Sequence, residues 1–202
     1  MRQNKSSGRM GRPRSFDIDR ALNRALQVFW RKGYEGASLS DLTKAMGVNR
    51  PSLYAAFGGK KALFRKALDR YMTGPAAYTQ EALKEPTARA VVERLLRGAA
   101  DLNAAPRNPG GCLTVQGALA SGDAGDSVRQ ELVACRVAGE VALLRRLQRA
   151  KSEGDLPATV NPADLARYVA TIVYGMAVQA AGGASRGKLQ HVVDMALRTL
   201  PL

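Results

Sequence analysis

The sequence predicts an all-α protein in two parts, a small N-terminal three-helix head and a larger C-terminal helical body. Three observations predict this. Two short apolar-periodic segments, Leu39, Leu42, Ala45, Met46 and then Leu53, Tyr54, Phe57, flank the turn Gly47-Val48-Asn49 and must pack at an angle, which is the pattern of a helix-turn-helix. The rest of the chain repeats helical spacing between glycine and proline breaks, with no strand pattern or internal repeat competing. Charge is uneven: through Thr73 there are 16 Lys and Arg against 5 Asp and Glu, and beyond it 15 against 12. Most of the formal net charge of +14 therefore sits on the helix-turn-helix end, where a phosphate backbone requires it.

Residues 1–15 are rich in Arg, Lys, Gly and Ser, lack apolar periodicity, and read as a basic arm disordered without DNA. Gly11-Arg12-Pro13-Arg14 has the form of a short arginine hook for a narrow minor groove, or equally of a solvated tail. A first helix runs from about Asp17 to Lys32, with Ile18, Leu22, Ala25 and Phe29 on one face and Gly33 as its stop. Trp30 and Tyr34 near its end serve either as interface aromatics or as packing beneath the motif.

Ser38 followed three positions later by Asp41 is a capping-box pattern that starts the second helix. Gly47 supplies the left-handed stop and Val48 tucks beneath the turn. Asn49 caps the third helix, and Pro51 is tolerated there because first-turn amides have no intrahelical partner to lose. With Leu53 and Phe57 inward, Arg50, Pro51, Ser52, Ala55 and Ala56 face outward. Short side chains let a helix approach base edges, and an arginine near its start can offer two donors to a guanine. A pair of ordinary core helices is the competing reading, opposed by the turn and the surrounding charge.

Gly58-Gly59 turns the chain into a fourth helix, Lys60 to Tyr71, whose start suits a phosphate. Gly74-Pro75 marks a kink or boundary, which divides the chain into an arm (1–15), a DNA-binding domain (16–73) and an effector-binding and dimerisation domain (74–202). Further helices are expected at about Thr87 to Asn103, Cys112 to Ser121, Ser127 to Lys151, Pro162 to Ala181 and Lys188 to Leu200.

The run from Gly33 to Leu42, then Ala45-Met46-Gly47-Val48-Asn49-Arg50-Pro51-Ser52-Leu53-Tyr54-Ala55-Ala56-Phe57 and Lys60-Lys61-Ala62-Leu63-Phe64, resembles the DNA-binding domain of TetR/AcrR-type transcriptional regulators. Lys61 departs from the acidic residue frequent at that place in the family. The resemblance implies a cytoplasmic homodimer that binds palindromic double-stranded operator DNA, usually a repressor released by a small-molecule effector. By geometry and resemblance together, the DNA-contacting set is Arg12, Arg14, Ser38, Ser40, Asn49, Arg50, Pro51, Ser52, Tyr54, Ala55 and Lys60. Arg50 and Ser52 read bases; Ser38, Tyr54 and Lys60 hold the backbone.

The apolar, glycine-containing stretch from Arg167 to Gly183 permits close helix approach and is expected to form the dimer interface through Tyr168, Ile172, Gly175 and Met176, with Val193 and Leu197 of the last helix beside Leu189 and Met195. Gly110-Gly111-Cys112-Leu113 resembles an element of one branch of these regulators at the start of a pocket-forming helix. Cys112 is accordingly a candidate ligand or sensing residue, in a thiol-based electrophile- or oxidant-responsive repressor, or simply a small buried side chain.

Other classes fare worse. The longest apolar stretch, Tyr168 to Ala181, is too short to span a bilayer, which needs about 20 residues, and no secretory signal is expected in the basic, polar start of the chain. Two cysteines far apart make neither a disulfide scaffold nor a zinc site, so reduced thiols and no metal or cofactor are expected. An enzyme has little inventory: one histidine, His191, no metal-ligand spacing, no phosphate-cradling loop and no nucleophile elbow. A hydrolase pairing Cys112 with His191 is the remaining enzymatic reading. An architectural DNA-binding protein without effector is the other alternative.

Overall fold

A computed structural model describes residues 16–119 and 126–202 of the chain. The arm, with Arg12 and Arg14, and the turn expected at Gly122 to Gly125 lie outside the described residues. Ten α-helices and no strand are found among the described residues: α1 Ile18–Gly36, α2 Leu39–Met46, α3 Arg50–Phe57, α4 Lys60–Thr73, α5 Tyr78–Ala82, α6 Ala88–Asn103, α7 Leu113–Leu119, α8 Asp126–Ser152, α9 Pro162–Ala181 and α10 Arg186–Thr199.

Local chemistry explains most of these boundaries. Side chains of Asp17, Ser38, Asn49, Thr87, Asn161 and Ser185 each accept a first-turn amide of the helix they precede, satisfying one of its orphan donors. Pro162 follows the Asn161 cap, where its missing N–H costs nothing. Gly33 does not end α1 as the sequence suggests. It kinks it instead, at φ 68° and ψ 179°, and one further turn reaches Gly36. The short helix α5 has no side-chain cap and no sequence signal beyond its packing on α6.

Two apolar cores result. The first gathers Ala25, Phe29, Trp30, Leu42, Leu53, Leu63, Phe64 and Tyr71 of α1 to α4, and takes in Leu113 of α7 with Val128 and Leu132 of α8. Its rings meet edge to face, Phe29 on Phe64 at 5.1 Å and Trp30 on Tyr71 at 4.8 Å between centroids. The second joins α6, the far half of α8, α9 and α10 around Leu96, Leu147, Val169 and Val193. The first core thus crosses Thr73, the end expected for the DNA-binding domain.

Burial corrects part of the expected interface. Met176, Val193 and Leu197 are 2, 0 and 6% exposed and belong to the second core of the same chain, so they offer no outer surface. Ile172 is half-buried against that core. Tyr168 is 52% exposed, and Gly175, Val178, Val192 and Met195 also face outward.

Candidate nucleic-acid interface

The helix-turn-helix is held by hydrogen bonds that span three or four residues each. Ser38 Oγ accepts the Asp41 N–H at 3.0 Å, while Asp41 Oδ2 accepts the Ser38 N–H at 3.1 Å and its hydroxyl at 2.8 Å. Lys32 of α1 adds an ion pair to Asp41 at 2.8 Å. The Lys32 and Ser38 bonds together hold the Asp41 carboxyl down at about 2, against an ordinary 3.8. Gly47 closes α2 at φ 71°, ψ 34°, a left-handed conformation open to glycine, and its N–H reaches Thr43 O at 3.0 Å. Val48, half-buried, then packs against the first core. Asn49 Oδ1 accepts the Ser52 N–H at 2.8 Å and starts α3.

From this frame α3 buries Leu53 and Phe57 and leaves Arg50, Pro51, Tyr54 and Ala55 exposed. Ser52 is half-buried beside them, and Ala56 packs against the core rather than facing fully outward. Asn49, Ser38 and Ser40 are exposed along the same motif. The Ser38 hydroxyl and the Asn49 oxygen are both engaged in capping, so any contact they make with another molecule uses what capping leaves over.

α4 begins after Gly59 with no side-chain cap, so its first-turn amides are unfilled donors at the positive end of a 14-residue helix. Lys60 Nζ, at the first residue of α4, lies 4.4 Å from the ring centroid of Tyr34 in α1, a cation–π contact between the two helices. Sequence reasoning placed Lys60 but not its partner, because the pair joins two helices with no local signal. Burial raises the Tyr34 pKa, with Glu35 and Glu131 adding to the effect, so the phenol remains neutral beside the cation. Arg65 and Glu131 form a bidentate ion pair between α4 and α8, and Arg70 bonds Asn23 at 3.0 Å and Asp19 of α1. These ties join α4 to α8 and to α1. Two open grooves, about 400 and about 330 Å³, lie on outer faces between α1 and α4, the first lined by Arg20, Arg24 and Arg70.

Away from this surface, Cys112 immediately precedes α7 and is half-buried. The Tyr71 hydroxyl donates to its Sγ at 3.2 Å, and Thr114 Oγ1 lies 3.1 Å from it. His191 is exposed on α10, a helix that packs on α6 and α9, whereas Cys112 packs with the first core. The structure does not bring the two together. No helix among the described residues is long and apolar enough to cross a membrane.

Comparison with known proteins fits this geometry. Residues 21–67 match the family described as bacterial regulatory proteins, tetR family, and residues 86–195 match the tetracyclin repressor-like C-terminal domain. The HTH-type transcriptional repressor ComR of Escherichia coli K12 is 34% identical over 194 residues, which cover 95% of this chain and 92% of ComR. A cysteine mutant of the TetR family transcriptional regulator CifR, solved with a 26-bp double-strand operator DNA, is 43% identical with a TM-score of 0.90 over 95% of this chain and 100% of its own. A TetR regulator from Rhodococcus sp. RHA1, described as putative, is 44% identical with a TM-score of 0.63, covering 92% of this chain and all of that one. With both parts matched and relatives aligned along nearly its whole length, the chain belongs to the TetR family of DNA-binding transcriptional regulators.

Proposed function

We propose that two copies of this chain bind a palindromic operator duplex and repress transcription until a small molecule occupies the C-terminal helices. The observation that carries this reading is the outward face of α3, Arg50, Pro51, Tyr54 and Ala55, beside the uncapped start of α4. A helix whose outward face leads with an arginine followed by small Pro51 and Ala55, with Tyr54 at the edge, fits a major groove, and the α4 amides with Lys60 fit the flanking phosphate. Arg50 and Ser52 contact bases, and Ser38, Ser40, Asn49, Pro51, Tyr54, Ala55 and Lys60 complete the contact surface. Support comes from the operator DNA in the CifR structure and from the repressor role named for ComR.

The exposed stripe Tyr168, Gly175 and Val178 on α9, with Val192 and Met195 on α10, is the dimer surface in this reading. Residues 16–73 read DNA and residues 74–202 bind the effector and dimerise. The chain acts in the cytoplasm and catalyses nothing. Selection of bound duplexes from a random pool, followed by anisotropy titration, tests the proposal. A two-fold consensus bound by a dimer is the expected result, and indifference to sequence overturns it.

A second reading, release by thiol modification, draws on the half-buried Cys112 Sγ, which accepts the Tyr71 hydroxyl at the start of α7. Operator release by electrophiles from the wild type but not from Cys112→Ser selects that reading over reversible occupancy.

A further inference from the structure

The Gly110-Gly111-Cys112 loop touches four helices at once. The Gly111 N–H donates to Asn103 O of α6 at 2.9 Å, and Gly111 O accepts the indole N–H of Trp30 of α1 at 2.9 Å. Tyr71 of α4 reaches Cys112, as described above, and its ring stands edge-on to Trp30 at 82°. On the fourth side, a Cβ built on Gly111 would lie 2.9 Å from Ala177 O of α9 and 2.7 Å from Gln116 Nε2. Gly111 has φ +74°, so backbone and space both restrict the position to glycine.

Around the same loop, the side-chain oxygens of Asn103 and Gln116 are buried with no donor. Buried acceptors without partners mark a packing arrangement that is not fully satisfied, and such a segment is a natural place for a second arrangement. Trp30 is 1% exposed and hydrogen-bonded across 81 positions of sequence, the one described side-chain bond from α1 to this loop. α1 packs on α2 and α4 of the reading head and also on α7, so Trp30 sits on a helix shared by the head and the loop's own neighbour.

We propose that Trp30 is a positioning residue for switching: its indole N–H hooks α1 to the Gly111 carbonyl, so that the state of the loop and the setting of the DNA-reading helices change together. This rests on the operator-binding reading above and adds the route of its regulation. α1 then passes the state of the loop to α2 and α4, on which it packs.

Linkage makes the route testable without an identified effector, because operator bound at the head must alter the loop as much as the loop alters operator affinity. The chain has two cysteines, so Cys135→Ser leaves Cys112 as a single thiol reporter beside the hook. Its alkylation by iodoacetamide follows the population of loop-open states. Saturation with the selected operator, monitored by anisotropy, should slow alkylation about fivefold or more, the lower end of usual couplings between sites. Trp30→Phe in the same background keeps a ring and loses the N–H. It should still bind operator, while the operator's effect on alkylation falls below about twofold. An equal effect in both proteins, or no effect in the parent, overturns the hook. Absence of operator binding in the parent overturns the operator reading instead.

Trp30 is also the only tryptophan, so its emission in the unsubstituted chain reports the hook directly. A spectral change on operator saturation is expected. An unchanged spectrum overturns the proposal even if Trp30→Phe fails to fold.

Discussion

Single side chains on this surface have separable roles, and substitution distinguishes them. Arg50→Ala should cost about 1–3 kcal/mol of operator affinity and relax preference at one operator position. Lys60→Ala should weaken all sequences alike, since Lys60 is proposed to meet phosphate rather than bases. Binding-profile measurements on the two variants check both; an unchanged profile for Arg50→Ala makes it a backbone contact. Asp41 offers a pH test of the motif's frame. Its carboxyl is depressed to about 2 in the folded protein from an ordinary 3.8. A depressed carboxylate stabilises the fold above the unfolded value, and that contribution disappears as pH falls from 3.8 through about 2. Melting temperature followed over that interval should fall more steeply in wild type than in Asp41→Asn, which has no proton to take up. These residues were legible in the sequence because Ser38 and Asp41 satisfy each other, and Asn49 accepts the Ser52 N–H, within one helical turn. Lys60 over Tyr34 and Trp30 on Gly111 were not, since nothing local records a partner 26 or 81 positions away.

Helices were legible where they carry caps and a single apolar face, and less so where they do not. Pro162–Ala181 begins and ends where its asparagine cap and trailing glycines place it, yet which of its apolar residues face out could not be read. α9 carries apolar residues on the exposed side as well, Tyr168, Gly175 and Val178 among them, so apolarity alone did not tell its packed face from its open one. Met176 is therefore buried where the sequence predicts an interface, as are Val193 and Leu197 of α10. Connecting loops give a cleaner energetic contrast. Gly111 and Gly154 both hold positive φ, +74° and +80°, but a Cβ meets Ala177 O and Gln116 at the first and open space at the second. Gly154→Ala should cost about 1 kcal/mol, the ordinary penalty of a left-handed alanine. Gly111→Ala carries the same penalty plus backbone displacement and should cost about 2–4 kcal/mol in denaturant unfolding. Equal costs would mean that α9 yields readily at Ala177.

At the scale of the molecule, a basic head and the dimer surface proposed near the other end of the chain suit a two-fold particle on DNA. If about six phosphates are neutralised per complex, the log–log dependence of affinity on salt has a slope of about −5. A slope near zero would contradict a backbone footprint. Placing a charge at Gly175, as in Gly175→Glu, should convert the dimer to monomers in sedimentation while leaving the helical circular dichroism spectrum intact, because a Cβ added at Gly175 points into open space, with nothing beyond its own helix within 4 Å. Retention of the dimer would move the interface elsewhere. The head, finally, is not a detachable module. Leu113 of α7 and Val128 and Leu132 of α8 complete the core that Trp30 and Tyr71 begin, so cutting the chain after Thr73 strips apolar cover from the reading helices. Exchange of operator specificity between such regulators, whether by recombination or by a designer of biosensors, therefore has a natural unit larger than the helix-turn-helix: a transplanted head must bring the start of α7 and of α8 with it, or have those three positions rebuilt in its new host.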